Sequence, residues 1–153
     1  MKRPIAALAL AALTAAPGAA LADEVAEAAL KARQSLMTLI AYNLGPLAQM
    51  AQGRIDYDAE AAQAAADNLH AMTRHSQERL WPEGTAHGEI EGSAARPAIW
   101  TDLEEFSNRY AALQDAATTI QGVAGDGLGA VQGALGGVGQ ACQACHEQFR
   151  VSD

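Results

Sequence analysis

Residues 142–146 read Cys-Gln-Ala-Cys-His, and these two thiols and one imidazole are the densest set of reactive side chains in the sequence. C-x-x-C-H is the attachment signal for a c-type haem. On a helix, residues i and i+3 share a face, so Cys142 and Cys145 can form thioethers with two vinyl groups along one porphyrin edge. His146, the next residue, can then bring its imidazole to the iron as the proximal ligand. Three other chemistries compete and fit less well. A thioredoxin-like C-x-x-C needs a βαβ setting. A zinc site would have to recruit His70, His75 or His87, whose spacing does not converge on His146. A disulfide inside one helical turn is geometrically awkward and closes only a very short loop. Catalytic triads, paired carboxylates and nucleotide-binding loops are absent from the sequence, so no enzyme is expected.

Covalent haem attachment needs an exported chain and a helix to carry the motif. Lys2 and Arg3, the uncharged run Ile5 to Ala16 and the triplet Ala20-Leu21-Ala22 have the order of a secretory signal peptide. Residues 1–22 are therefore expected to be removed, leaving 23–153 as one mature domain. A membrane-spanning helix fits less well, because the run between Arg3 and Asp23 is barely long enough and Pro17-Gly18 interrupts it. The 153 residues allow a single core, and half of them are hydrophobic, which excludes a chain disordered throughout. With 18 acidic against 10 basic side chains, the formal charge of -8 argues against a nucleic-acid partner.

From Asp23 onward the apolar spacing is helical, with no sustained period-two alternation. A long helix is expected over about Glu24 to Gln52, with Leu36, Ile40, Leu44 and Leu47 inward, Pro46 as a kink point and Gly53 as the stop. A shorter Ala-rich helix over about Asp58 to His75 places Ala62, Ala65, Leu69 and Met72 on one face, with Asp58 as N-cap. After Pro97, a seam runs through Ile99, Leu103, Phe106, Tyr110, Leu113, Ala117 and Ile120. A last seam, Leu128, Val131, Leu135, Val138, Cys142, Cys145 and Phe149, carries both thiols on its apolar stripe. Trp81 to Arg96 is the one long irregular connection. The fold expected is all-α, an antiparallel four-helix bundle. Met50 and Met72 read as core fillers, and Trp81 and Trp100 as packing residues near helix ends.

Residues 139–150, Gly-Gln-Ala-Cys-Gln-Ala-Cys-His-Glu-Gln-Phe-Arg, resemble the C-terminal signature of the class II c-type cytochromes, whose best-known members are the bacterial cytochromes c′. Arg33-Gln34-Ser35-Leu36-Met37 resembles their first-helix haem-contact segment, and Ala95-Arg96-Pro97-Ala98-Ile99-Trp100 the start of their third helix. The resemblance implies a periplasmic four-helix bundle with one covalent haem c on the C-terminal helix, usually a homodimer through the first two helices. Carried over by position, Arg33 and Gln34 fall where the family contacts the haem edge and propionates, and Arg150 falls beside the proximal imidazole. A guanidinium suits a propionate, and a cation one turn beyond His146 disfavours further positive charge there. Met37 falls at the distal position facing the sixth coordination site. The segment Ala86 to Glu91 looks longer and more acidic than the family's loop, and no role is assigned to it.

Two functions follow from the resemblance. The leading one is a periplasmic monohaem electron carrier with His146 proximal and Met37 axial, exchanging electrons with redox partner proteins. The alternative is a five-coordinate, high-spin protein whose open apolar distal site binds nitric oxide or carbon monoxide. A thioether is a soft ligand that favours ferrous iron, yet a Met on an apolar helix face is also ordinary packing, so the residues alone leave the choice open.

Overall fold

The structure, a computed structural model, describes residues 17–152, with side chains from Leu21 onward. The charged and apolar parts of the expected signal segment, Lys2 to Ala16, lie outside the described residues. Helix α1 spans Pro17–Ala51, α2 Ala59–Thr73, α3 Ala98–Thr101, α4 Leu103–Gln121 and α5 Leu128–Phe149. No strand occurs among the described residues, where pairing is limited to two isolated bridges, His87 with Ile90 and Ala95 with Arg150. None of these helices is long and apolar enough to cross a membrane.

α1 starts seven residues before the expected Glu24. Ala19, Ala20, Leu21 and Ala22 are strong helix formers, and Pro17 sits in the first turn, where its missing N–H costs nothing. At 35 residues α1 is about 52 Å long at 1.5 Å per residue. Pro46 lies inside it and does not end it. The end comes at Gly53, whose φ of 68° lets Arg54 N–H reach Gln49 O at 2.9 Å while Gly53 N–H bonds Met50 O at 3.0 Å. This double closure satisfies carbonyls that the helix end leaves free. α2 starts as expected, with the Asp58 carboxylate accepting from Ala61 N–H at 2.9 Å.

The seam after Pro97 is broken where periodicity alone ran it straight through. Asp102 adopts φ -139°, ψ 62° and caps α4, its side chain accepting from Glu105 N–H at 3.2 Å, while Glu104 and Glu105 place negative charge in the first turn. The phase shift turns Leu103 outward, 60% exposed and outside the core. Phe106, Tyr110, Leu113, Ala117 and Ile120 stay buried.

Long-range hydrogen bonds fix the topology. Gln63 Nε2 on α2 donates to Gln121 O at the end of α4, and Gln114 Nε2 on α4 donates to Thr73 O at the end of α2, so these helices run antiparallel. Gln132 Nε2 near the start of α5 donates to Ala51 O at the end of α1. The neighbours are α1 with α2, α2 with α4, α4 with α5 and α5 with α1, which closes an antiparallel four-helix bundle. Its main core holds Leu36, Ile40, Leu47, Met50, Leu69, Leu113, Ile120, Val131 and Val138, with Leu44, Met72, Leu128 and Leu135 half-buried against it. A second cluster forms around Ile99, Phe106 and Phe149 with Trp81 and Trp100. The chain end is clasped to the connection ahead of α3 by Arg96 N–H to Phe149 O at 2.9 Å and Val151 N–H to Ala94 O at 2.8 Å.

Candidate functional site

Between the middle of α1, the start of α4 and the end of α5 lies a cavity of about 900 Å³, within the range of small-molecule sites, ~300–1,000 Å³. The connection from Trp81 to Ala95 forms its rim. Helical spacing explains what each element delivers. From α1 come Leu30, Arg33, Gln34 and Met37, and from α5 come Cys145, His146 and Phe149 followed by Arg150. Phe106 and Tyr110, one turn apart, come from α4, and Ile99 from α3. Residues expected from the sequence to share a site are thus gathered around one cavity, although they lie more than a hundred positions apart. Cys142 is half-buried one turn before Cys145 and packs against the main core instead of the cavity wall.

Both thiols are free. Burial pushes each above the usual thiol range; at Cys145 the neighbouring Cys142 adds to the rise and Arg109 opposes it. Thiols held above their usual range on one helical stripe suit thioether anchors better than a redox pair. Partial burial and then the charge of Arg150 pull the His146 imidazole below its usual range. A neutral imidazole is the form that binds a metal.

Arg33 lines the cavity, and its terminal nitrogens are already engaged within the protein. It is only 4% exposed, and its terminal nitrogens turn to the rim: Nη1 donates to Thr85 Oγ1 at 2.8 Å and Leu80 O at 3.3 Å, Nη2 to Thr85 O at 2.6 Å and Ser93 Oγ at 2.8 Å. Its guanidinium also lies 4.7 Å from the centre of the Trp81 ring. A guanidinium has five N–H donors, so Nε–H is the one left without a partner among the described residues. Burial holds its basicity below the usual arginine range. Gln34, placed with it at the haem edge by resemblance, also bonds the rim, Nε2 donating to Gly92 O at 3.0 Å.

The apolar wall was less visible in the sequence. Trp81 packs edge-on against Phe106 at 4.9 Å and against Trp100 at 6.3 Å, and Phe106 against Phe149 at 5.3 Å. Trp81 Nε1–H donates to Gln77 Oε1 and Trp100 Nε1–H to Trp81 O, so both indoles are satisfied. Tyr110 Oη is buried without a well-formed hydrogen bond among the described residues. Burial pushes this phenol up to about 12, with the adjacent Gln77 amide pulling the other way. One sequence signal pointed to the rim: Arg33 is a cation inside the apolar stripe Ala29, Leu30, Leu36 and Ile40, and a buried cation needs acceptors from elsewhere in the chain.

The family model described as Cytochrome C' matches residues 28–150. Cytochrome c-554 of Cereibacter sphaeroides is 42% identical over 152 residues, 99% of either chain. Among solved structures, cytochrome c' from Rhodobacter spheriodes superposes with a TM-score of 0.81 at 38% identity, covering 84% of this chain and 98% of that one. A nitric oxide complex of a mutant cytochrome c prime from Alcaligenes xylosoxidans gives a TM-score of 0.73 at 33% identity, covering 83% and 97%.

Proposed function

The chain belongs to the cytochrome c′ family, which carries one covalent haem c, and from that premise we propose that it is a periplasmic gas-binding haem protein. Cys142 and Cys145 anchor the haem, His146 is the proximal ligand, and Arg150 stands beside it. The bound haem would supply an iron with a position open to a small ligand. The chain's part is to keep water from that position and to leave room for a diatomic ligand, nitric oxide or carbon monoxide. The observation carrying this reading is the apolar make-up of the cavity walls, Leu30, Met37, Ile99, Phe106 and Phe149. The likeness to the nitric oxide complex supports it.

Electron carriage with Met37 as sixth ligand is the second reading. It is favoured by Met37 lining the cavity from the helix adjacent to that of His146 and by the 42% identity to a cytochrome c-554. No catalytic step is assigned to the chain. Residues 1–22 act as the export signal, and 23–153 form the mature bundle. Val25, Leu39 and Tyr42, exposed on α1, supply an apolar surface for a homodimer. The visible spectra of the ferric and ferrous protein, with and without carbon monoxide, test the proposal. A high-spin ferrous spectrum that converts readily on adding the gas is the expected result, and a sharp low-spin spectrum indifferent to it selects electron carriage.

A further inference from the structure

The rim segment that the sequence left without a role holds one titratable ring in a defined state. His87 Nδ1 lies 2.8 Å from Ser93 O. A carbonyl oxygen only accepts, so Nδ1 carries a proton, and the neutral ring keeps its lone pair at Nε2. Protonation therefore adds its proton at Nε2 and breaks nothing. The backbone is pinned as well, by His87 N–H to Ala95 O at 2.7 Å and by Glu89 Oε2 accepting from Ala86 N–H at 2.9 Å. His87 lines the cavity, so a change in its charge is presented to whatever fills that cavity.

The other charged and titratable groups lining the cavity are Glu89 and Glu91 from its own segment, Arg33 from α1, Tyr110 from α4, and Cys145, His146 and Arg150 from α5. The propionate partner that the family would supply, Arg33, has its four terminal N–H groups directed at Leu80, Thr85 and Ser93. The same rim that draws Arg33 away thus places an imidazole beside the cavity in its stead.

We propose that His87 Nε2 takes up a proton when the iron is reduced, and that the Nε2–H so formed donates to a haem carboxylate at the cavity rim. The inference rests on the covalent haem, and on neither reading of the sixth position. In the step, one electron from an external one-electron donor converts ferric to ferrous iron, and one proton from water bonds to His87 Nε2. Reoxidation releases both. The driving force is electrostatic, because lowering the positive charge in the cavity favours the imidazolium.

The test is the reduction potential of the holoprotein followed from pH 5 to 9, in the wild type and in His87→Asn. The Asn amide can still donate to Ser93 O but has no titrating nitrogen. In the wild type the potential falls as pH rises through the histidine range. A threefold difference in proton affinity between the two oxidation states gives a fall of about 30 mV, at ~59 mV per tenfold for one electron. In His87→Asn, with haem content unchanged, the profile is flat over that range. Independently of any variant, the NMR titration midpoint of the His87 ring is higher in the ferrous than in the ferric wild type. A flat wild-type profile, a slope retained in His87→Asn, or equal ring midpoints would overturn the proposal. A wild-type sample without covalent haem would overturn the site itself, and its visible spectrum tells that failure from the others.

Discussion

Arg33 and Ser93, 60 residues apart in sequence, meet through a buried 2.8 Å hydrogen bond from Nη2 to Oγ. The bond joins the long first helix to the rim of the cavity. Ser93 Oγ passes the connection on by donating to Thr85 O at 2.8 Å, and Thr85 Oγ1 donates to Pro82 O at 2.7 Å. One guanidinium thus organises the rim from Leu80 to Ser93.

Replacing Arg33 by Gln should destabilise the fold by about 2–4 kcal/mol, since it strands buried acceptors that a charged donor had satisfied. Arg33→Lys should recover only part of this, because an ammonium lacks the planar fork that serves four acceptors. Urea unfolding measures both losses. Hydrogen exchange should show the amides of His87 and Ser93 opening first in either variant, and uniform exchange across the whole chain would refute the rim assignment.

Asp102→Ala should cost about 1 kcal/mol through loss of the α4 cap. Its mechanism leaves a second mark, because without the cap α3 and α4 are free to merge into the single helix that the periodicity describes. Far-UV circular dichroism should then show unchanged or slightly increased helicity despite a lower urea midpoint. A clear loss of helicity would contradict it.

That cap also marks the limit of what the residues disclose. Spacing rules located the four long helices, the Asp58 cap and the Gly53 stop because each depends on neighbours in sequence. They carried the seam through Leu103, since the period of Ile99, Leu103 and Phe106 is regular and only the φ, ψ of Asp102 breaks it. The motif gave Cys142, Cys145 and His146 their chemistry, and resemblance brought Met37 to the cavity that the structure shows. Arg33 is different: its partners come from an irregular segment with no periodicity to read, so its role emerged only once Thr85 and Ser93 were seen against it.

Tyr110 predicts a pH dependence at the alkaline end. In the unfolded chain a tyrosine loses its proton near ~10. In the folded protein burial holds that proton up to about 12. Between these values the folded state binds more protons than the unfolded one, so raising pH favours unfolding. The contribution is present in full below pH ~10 and is lost as pH rises toward 12. Tyr110→Phe removes it, so the urea midpoint of the variant should exceed that of the wild type by a margin that grows as pH rises above ~10. At neutral pH the variant should be no less stable, because Oη has no well-formed hydrogen bond to lose.

The thioethers admit a simple check. Acid-acetone extraction should leave one haem per chain in the wild type and remove it from Cys142→Ala with Cys145→Ala, because covalent attachment survives conditions that strip a coordinated haem. Full extraction from the wild type would dispose of the c-type assignment. The half-buried position of Cys142 against the main core adds a second expectation, that Cys142→Ala destabilises the bundle even when Cys145 still holds the haem.

Met37 decides between gas binding and electron carriage. Its side chain packs against the main core and lines the cavity at once, so truncation has two readable effects. If the sulfur is off the iron, the wild type is already high-spin, binds carbon monoxide readily, and keeps its spectrum in Met37→Ala. The substitution then acts only by enlarging the cavity, at a cost near the lower end of the ~2–5 kcal/mol seen for buried Met. If the thioether is a ligand, the same substitution turns a low-spin spectrum high-spin and opens the sixth position to carbon monoxide. The first outcome is expected, because Leu30, Ile99, Phe106 and Phe149 line the cavity together with Met37 and give it an apolar wall. A low-spin wild type that gains gas binding only on losing Met37 would make the protein an electron carrier.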